Sequence, residues 1–117
     1  MRSHEQFTIG LTIRRFGETV QHKRRVKTDL GEGEFEYSYE VMEPIRGHFN
    51  EIMPYDETMT RFGVKSEADY LGTFNAGADV KEGDLFYFDD KWIEAVNVFE
   101  HKTGGAVDYI ESLMRKT

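Results

Sequence analysis

Four histidines, twenty-two acidic residues and four serines are the side chains with which this 117-residue chain could do chemistry. His4, His22, His48 and His101 are scattered, and no pair falls at the i, i+2 or i, i+4 spacing that puts two imidazoles on one face for a metal. Asp84, Asp89 and Asp90 sit at a strand start and in a hairpin, where aspartate is ordinary turn chemistry, and their spacing is unlike a calcium loop. Gly31-Glu32-Gly33 is the one Gly-x-Gly. Its flanking glutamates repel a phosphate, and it lacks the third glycine and following helix of a dinucleotide site. Ser3, Ser38, Ser66 and Ser112 stand outside any nucleophile elbow. The expectation is a protein without catalytic residues, metal or cofactor.

A different pattern invites a polyanion. His22-Lys23-Arg24-Arg25-Val26-Lys27 is basic, and Tyr37 and Tyr39 fall on a nearby strand. Small barrels hold single-stranded nucleic acid with basic side chains beside stacking aromatics. Against this, the tyrosines alternate with Glu34, Glu36 and Glu40, and phosphate contacts dominate such affinity. Charge is also segregated. Residues 1–28 carry seven Lys/Arg against Glu5 and Glu18, while the remainder carries eight basic and twenty acidic residues, for a total of −7. Such segregation matches a complementary surface on another copy or partner, or belongs to a basic edge strand that resists aggregation.

The elements that would position these groups are mostly strands. Residues 80–99 read as a turn at Gly83-Asp84, a strand over Leu85–Phe88, a tight turn at Asp89-Asp90-Lys91 and a second strand over Trp92–Phe99. Apolar residues fall on both faces of this hairpin, so both faces call for cover, with Phe86, Phe88 and Trp92 as core residues. Phe7, Ile9, Leu11 and Ile13 alternate and predict an N-terminal strand. A polar edge strand follows over Thr19–Val26, then a loop at 29–34. Phe35, Tyr37, Tyr39 and Val41 give one strand an aromatic face and an acidic face. Pro44 interrupts, and Ile45–Met53 continues as a strand with Gly47 at a bend or bulge. The pattern loosens over 54–79, a long central loop with a short helix or none after Pro54 and a short strand at Tyr70–Phe74. After the Gly104-Gly105 turn, 106–114 reads as a strand rather than a helix.

By length the chain is one domain, residues 1–117, that buries roughly two thirds of its unfolded surface. The absence of cysteine excludes disulfides and thiolate metal sites. No apolar run reaches the ~20 residues of a membrane-spanning helix, and no leader or anchor is expected. The fold class expected is an all-β small barrel or sandwich of about six to eight strands with a long central loop at 54–79.

In order, the alternating N-terminal strand over Phe7–Ile13, Phe16-Gly17-Glu18-Thr19-Val20, Pro44-Ile45-Arg46-Gly47, Phe62-Gly63-Val64 and Val80-Lys81-Glu82-Gly83-Asp84-Leu85 leading to Trp92-Ile93-Glu94-Ala95-Val96 resemble the small head-closure (stopper, or head-tail joining) proteins of tailed viruses. The resemblance spans roughly residues 8 to 100 and rests on turns and strands. It implies a β-barrel virion protein that forms a ring of six or twelve copies, with a portal or adaptor above and a tail protein below. Double-stranded DNA would pass through the channel without sequence readout, and the ring would close it. Under this reading 54–79 is the lumen or inter-subunit loop, with Gly63, Gly72 and Gly77 as its moving points. Met53, Tyr55, Met59, Phe62, Arg24 and Arg25 are the expected interface residues. No membrane is involved. The alternative is a small barrel binding single-stranded nucleic acid through Lys23, Arg24, Arg25, Lys27, Tyr37 and Tyr39.

Overall fold

A computed structural model describes residues 4–52 and 68–117. One helix, α1 (His4–Phe16), precedes six strands: β1 (Glu18–Gly31), β2 (Glu34–Glu51), β3 (Tyr70–Asn75), β4 (Leu85–Phe88), β5 (Lys91–Thr103) and β6 (Ala106–Lys116). All neighbouring strands pair antiparallel, and the sheet closes as a barrel in the order β1-β2-β3-β6-β5-β4. The all-β barrel expected from the sequence is the observed fold, and 106–114 is strand.

The hairpins form where turn chemistry permits. Asp89 and Asp90 hold φ of 56° and 59°, and Gly104 and Gly105 hold 59° and 87°. Positive φ at both central residues makes the primed turn whose twist matches paired strands. Inside the barrel Phe49, Phe74, Phe86 and Phe88 interlock. Phe49 stacks on Phe88 at 4.8 Å and meets Phe74 edge-on at 5.7 Å, and Phe74 lies 5.6 Å from Phe86. Val20, Tyr70, Val80, Ile93, Ala95, Ile110 and Met114 complete this core.

Three expectations need correction. The N-terminal segment is a helix. Its alternating apolar residues also place Ile9 and Ile13 four apart, which a helix can use. With six strands closing the barrel, the segment packs outside it, against β2, β3 and β6. Ile13 and Leu113 are fully buried outside the main core cluster. The helix end is fixed by side chain and backbone together. Arg46 donates from Nε to the Ile13 carbonyl (3.1 Å) and from Nη2 to that of Arg14 (2.9 Å), and Gly17 N–H also reaches the Ile13 carbonyl (2.9 Å). Cations there suit both the exposed carbonyls and the helix dipole.

Secondly, Pro44 does not interrupt β2. The register steps from Val20↔Ile45 to His22↔Met42, so β2 carries one extra residue at Glu43-Pro44. A bulge tolerates proline because the missing N–H is not needed by the ladder. Gly47 is then no bulge: it pairs regularly with Glu18, and a Cβ there would lie 2.7 Å from the Phe74 ring. Thirdly, β1 is not an edge strand throughout, since His22 and Lys23 pair with β4 as well as β2. On either side of that two-residue contact β1 has β2 as its one partner.

Candidate assembly surface

From the β1 ladder the His22 and Arg24 side chains reach the loop before β4, and the loop folds to meet them. Gly83, at φ 90°, turns the chain so that its N–H reaches the Ala95 carbonyl (2.8 Å). The turn delivers the Asp84 carboxylate, 1% exposed, into the barrel wall. There it accepts from His22 Nε2 (2.8 Å), from Arg24 Nε and Nη2 (each 3.0 Å) and from the Lys81 backbone N–H (3.0 Å). Arg24 uses the rest of its fork on the Asp79 carboxylate at 3.1 and 3.0 Å. Burial by itself pushes the Asp84 carboxyl up, but the bonds from His22, Arg24 and the Lys81 amide together hold it below the ordinary carboxylate value. Arg24 bonding likewise lowers Asp79. The His22 ring stacks on Phe86 at 4.7 Å and is 3% exposed. With its Nε2 bonded to Asp84 and its ring covered, this histidine ties β1 to the loop before β4. Arg24, expected at an interface, belongs to the same tie.

From that tie a two-stranded arm departs. Beyond Lys23, β1 pairs with β2 alone, and β2 meets β3 only from His48. Residues 25–41 are all exposed. Directly opposed residues share a face, and the pairs Asp29↔Phe35, Lys27↔Tyr37, Arg25↔Tyr39 and Lys23↔Val41 put cations and apolar rings together. Phe35, Tyr37, Tyr39 and Val41 stand 49, 55, 55 and 79% exposed. Lys27 Nζ lies 3.6 Å from the Phe35 ring centre, Arg25 Cζ 5.1 Å from that of Tyr37, and Lys23 Nζ 4.3 Å from that of Trp92. Glu36 and Glu40 pair with Thr28 and Arg24 on the reverse face.

Two grooves flank the short β1–β4 pairing. One, of about 400 Å³, lies at the arm's root among Lys23, Arg25, Tyr39, Leu85, Trp92 and Glu94. The other, of about 510 Å³, lies where β1 and β4 part and is lined by Glu18, Gln21, Tyr87, Asp89 and Asp90. Trp92 is therefore not core. It faces outward between Lys23 and the edge of Tyr87 (5.2 Å), whereas Phe86 is fully buried and Phe88 packs on the core. The outer face of the β4–β5 hairpin is only partly covered: Tyr87 remains 37% exposed.

The other expected residues are dispersed. Arg25 is exposed on the arm. Gly72 lies within β3, where a Cβ would meet the Met114 side chain at 2.6 Å, and Gly77 turns at φ 85° after β3. Met53, Tyr55, Met59, Phe62 and Gly63 lie outside the described residues. The flanks of that stretch are joined, Ile52 N–H to the Asp69 carbonyl at 2.8 Å and Asp69 N–H to that of Met114 at 2.8 Å. Among the described residues no group of three His, Asp or Glu side chains is arranged to hold a metal ion, and no helix is long and apolar enough to cross a membrane.

The stripe Phe35-Tyr37-Tyr39-Val41 was legible as one strand face, but its exposure and its register with Lys23, Arg25 and Lys27 were not. Part of the signal was present: the basic residues 23, 25 and 27 share one parity, as do the apolar residues 35 to 41. No family model and no curated protein matches the chain.

Proposed function

We propose that this chain is a structural protein of the neck of a tailed virus, forming a ring that joins head to tail and closes the DNA channel. The arm carries the reading. A registered hairpin with large side chains on one face and no cover from the described residues is what a subunit presents to a neighbour. An isolated two-stranded ribbon is marginal in water, so the contact that buries this one also orders it. The closed barrel supplies a rigid body, and the order of turns and strands from Phe16 onward, after the helix that replaces the expected first strand, resembles the head-closure proteins. Its partners are then six or twelve copies of itself, a portal or adaptor ring above and a tail protein below. Double-stranded DNA passes without base readout, and the place of action is the virion. Native mass spectrometry of the chain, alone and with the purified portal or adaptor ring, tests this. A single closed copy number is expected, and monomer in both conditions at assembly concentrations overturns it.

A second reading, single-stranded nucleic acid on the arm, is favoured by one observation: Lys23, Arg25, Lys27, Tyr37 and Tyr39 share a face, with Glu36 and Glu40 behind it. The same geometry weighs against it, because Lys27 and Arg25 already lie over the rings on which bases would stack. Three cations on a single strand give a log–log salt slope of about −2. Oligonucleotide anisotropy with that slope would support this reading, and no binding at low salt would remove it.

A further inference from the structure

We propose that the aromatic and cationic face of the arm docks on the acidic groove between β1 and β4 of the next copy. The inference rests on the ring reading above and assigns its interface. The arm leaves β1 beyond Lys23, whereas the groove is built from residues 18–21, on the other side of the His22–Lys23 pairing with β4. The two features therefore point opposite ways along one strand, and each finds its match in another molecule. A contact of that kind is head-to-tail, and rotation closes it into a ring.

Charge and shape agree. The arm face offers Lys23, Arg25 and Lys27 against Asp29 on the arm and Glu94 at its root, which Arg25 meets at 3.9 Å. The groove offers Glu18, Asp89 and Asp90, of which Asp89 already has Lys91 at 3.4 Å. Tyr87, half out of the groove wall, gives the arm's rings an apolar contact at the same place. Main-chain groups are also in supply on both sides. β4 pairs with β1 only through Leu85 and Phe86, so the ladder lapses beside Tyr87 and Phe88, and the outer edges of the arm have no ladder partner among the described residues. Exposed edges of this kind add strands across interfaces.

Two variants test the assignment by native mass spectrometry, alone and with the portal or adaptor ring. One reverses the arm, Arg25→Glu with Lys27→Glu. The other reverses the groove, Glu18→Lys and Gln21→Lys with Asp89→Asn and Asp90→Asn. The asparagines keep the positive φ of that turn accessible. All six positions are exposed, so circular dichroism should match the parent. Each variant by itself is expected to lose at least tenfold in ring fraction. Mixed one to one, they restore it as rings of even copy number, because reversed arm meets reversed groove and native arm meets native groove. If the parent forms rings and both variants form them equally well, the ring reading stands and this interface is wrong. A parent that never leaves the monomer overturns both. If the parent stays monomeric and binds single-stranded oligonucleotide through the same face, the arm's partner is nucleic acid and the proposal fails.

Discussion

The buried Asp84 carboxylate accepts four hydrogen bonds, from His22, twice from Arg24 and from the Lys81 amide. Replacing Asp84 by Asn keeps the volume but turns an acceptor toward Arg24 and His22 into a competing donor. Breaking a buried ion pair from one side costs about 3–5 kcal/mol. Asp84→Asn should therefore lower the unfolding free energy by about 3 kcal/mol in urea titrations at neutral pH, Arg24 keeping Asp79. Acid follows from the sign of the shift. The folded carboxyl sits below the ordinary 3.8, so its contribution is complete above that value and disappears as pH falls through the folded value. The parent should lose stability as pH drops below about 4, and Asp84→Asn should show a shallower loss over the same range. Gly47→Ala is a different case: its methyl would press on the Phe74 ring, a cost of about 1–3 kcal/mol by overpacking, read from the same titration. The turn at Gly83-Asp84 was legible in sequence. The destination of Arg24 was not, because its carboxylate lies 60 residues away and local patterns carry no information about such pairs.

Among the elements, the arm is the one whose removal the barrel should survive. Replacing residues 26–38 by Asn-Gly would join Arg25 to Tyr39, an observed pair, through a primed turn. Exposed positions away from buried features change stability by about 0.5 kcal/mol, so thermal unfolding should be little altered while ring formation disappears. Hydrogen exchange should separate the same parts, with fast exchange at 26–38 and slow exchange along β6, which is buried from Ile110 to Met114. The strands around the primed turns were readable, since alternation and turn residues are local signals. The helix was not: a seven-residue apolar alternation fits either period, and only the closed barrel decides that α1 lies outside it. Pro44 misled for a related reason, since a proline breaks a ladder only where the ladder needs its N–H.

For the whole molecule, segregated charge predicts how assembly responds to salt. Screening lengths fall from about 10 Å at 0.1 M to about 3 Å at 1 M ionic strength. If Lys23, Arg25 and Lys27 face Glu18, Asp89 and Asp90 across the ring, the concentration for half-assembly should rise as salt is added. Sedimentation velocity at low and high ionic strength measures it, and an interface held by the rings alone would show no such rise. The primed hairpins and the unequal spread of charge are properties of neighbouring residues, and the amino-acid order determines them directly. Barrel closure, the outward turn of Trp92, the bare stripe on the arm and the Asp84 tie depend on which distant strands meet. Period-2 patterning says which residues share a face, but only long-range pairing says whether anything covers it.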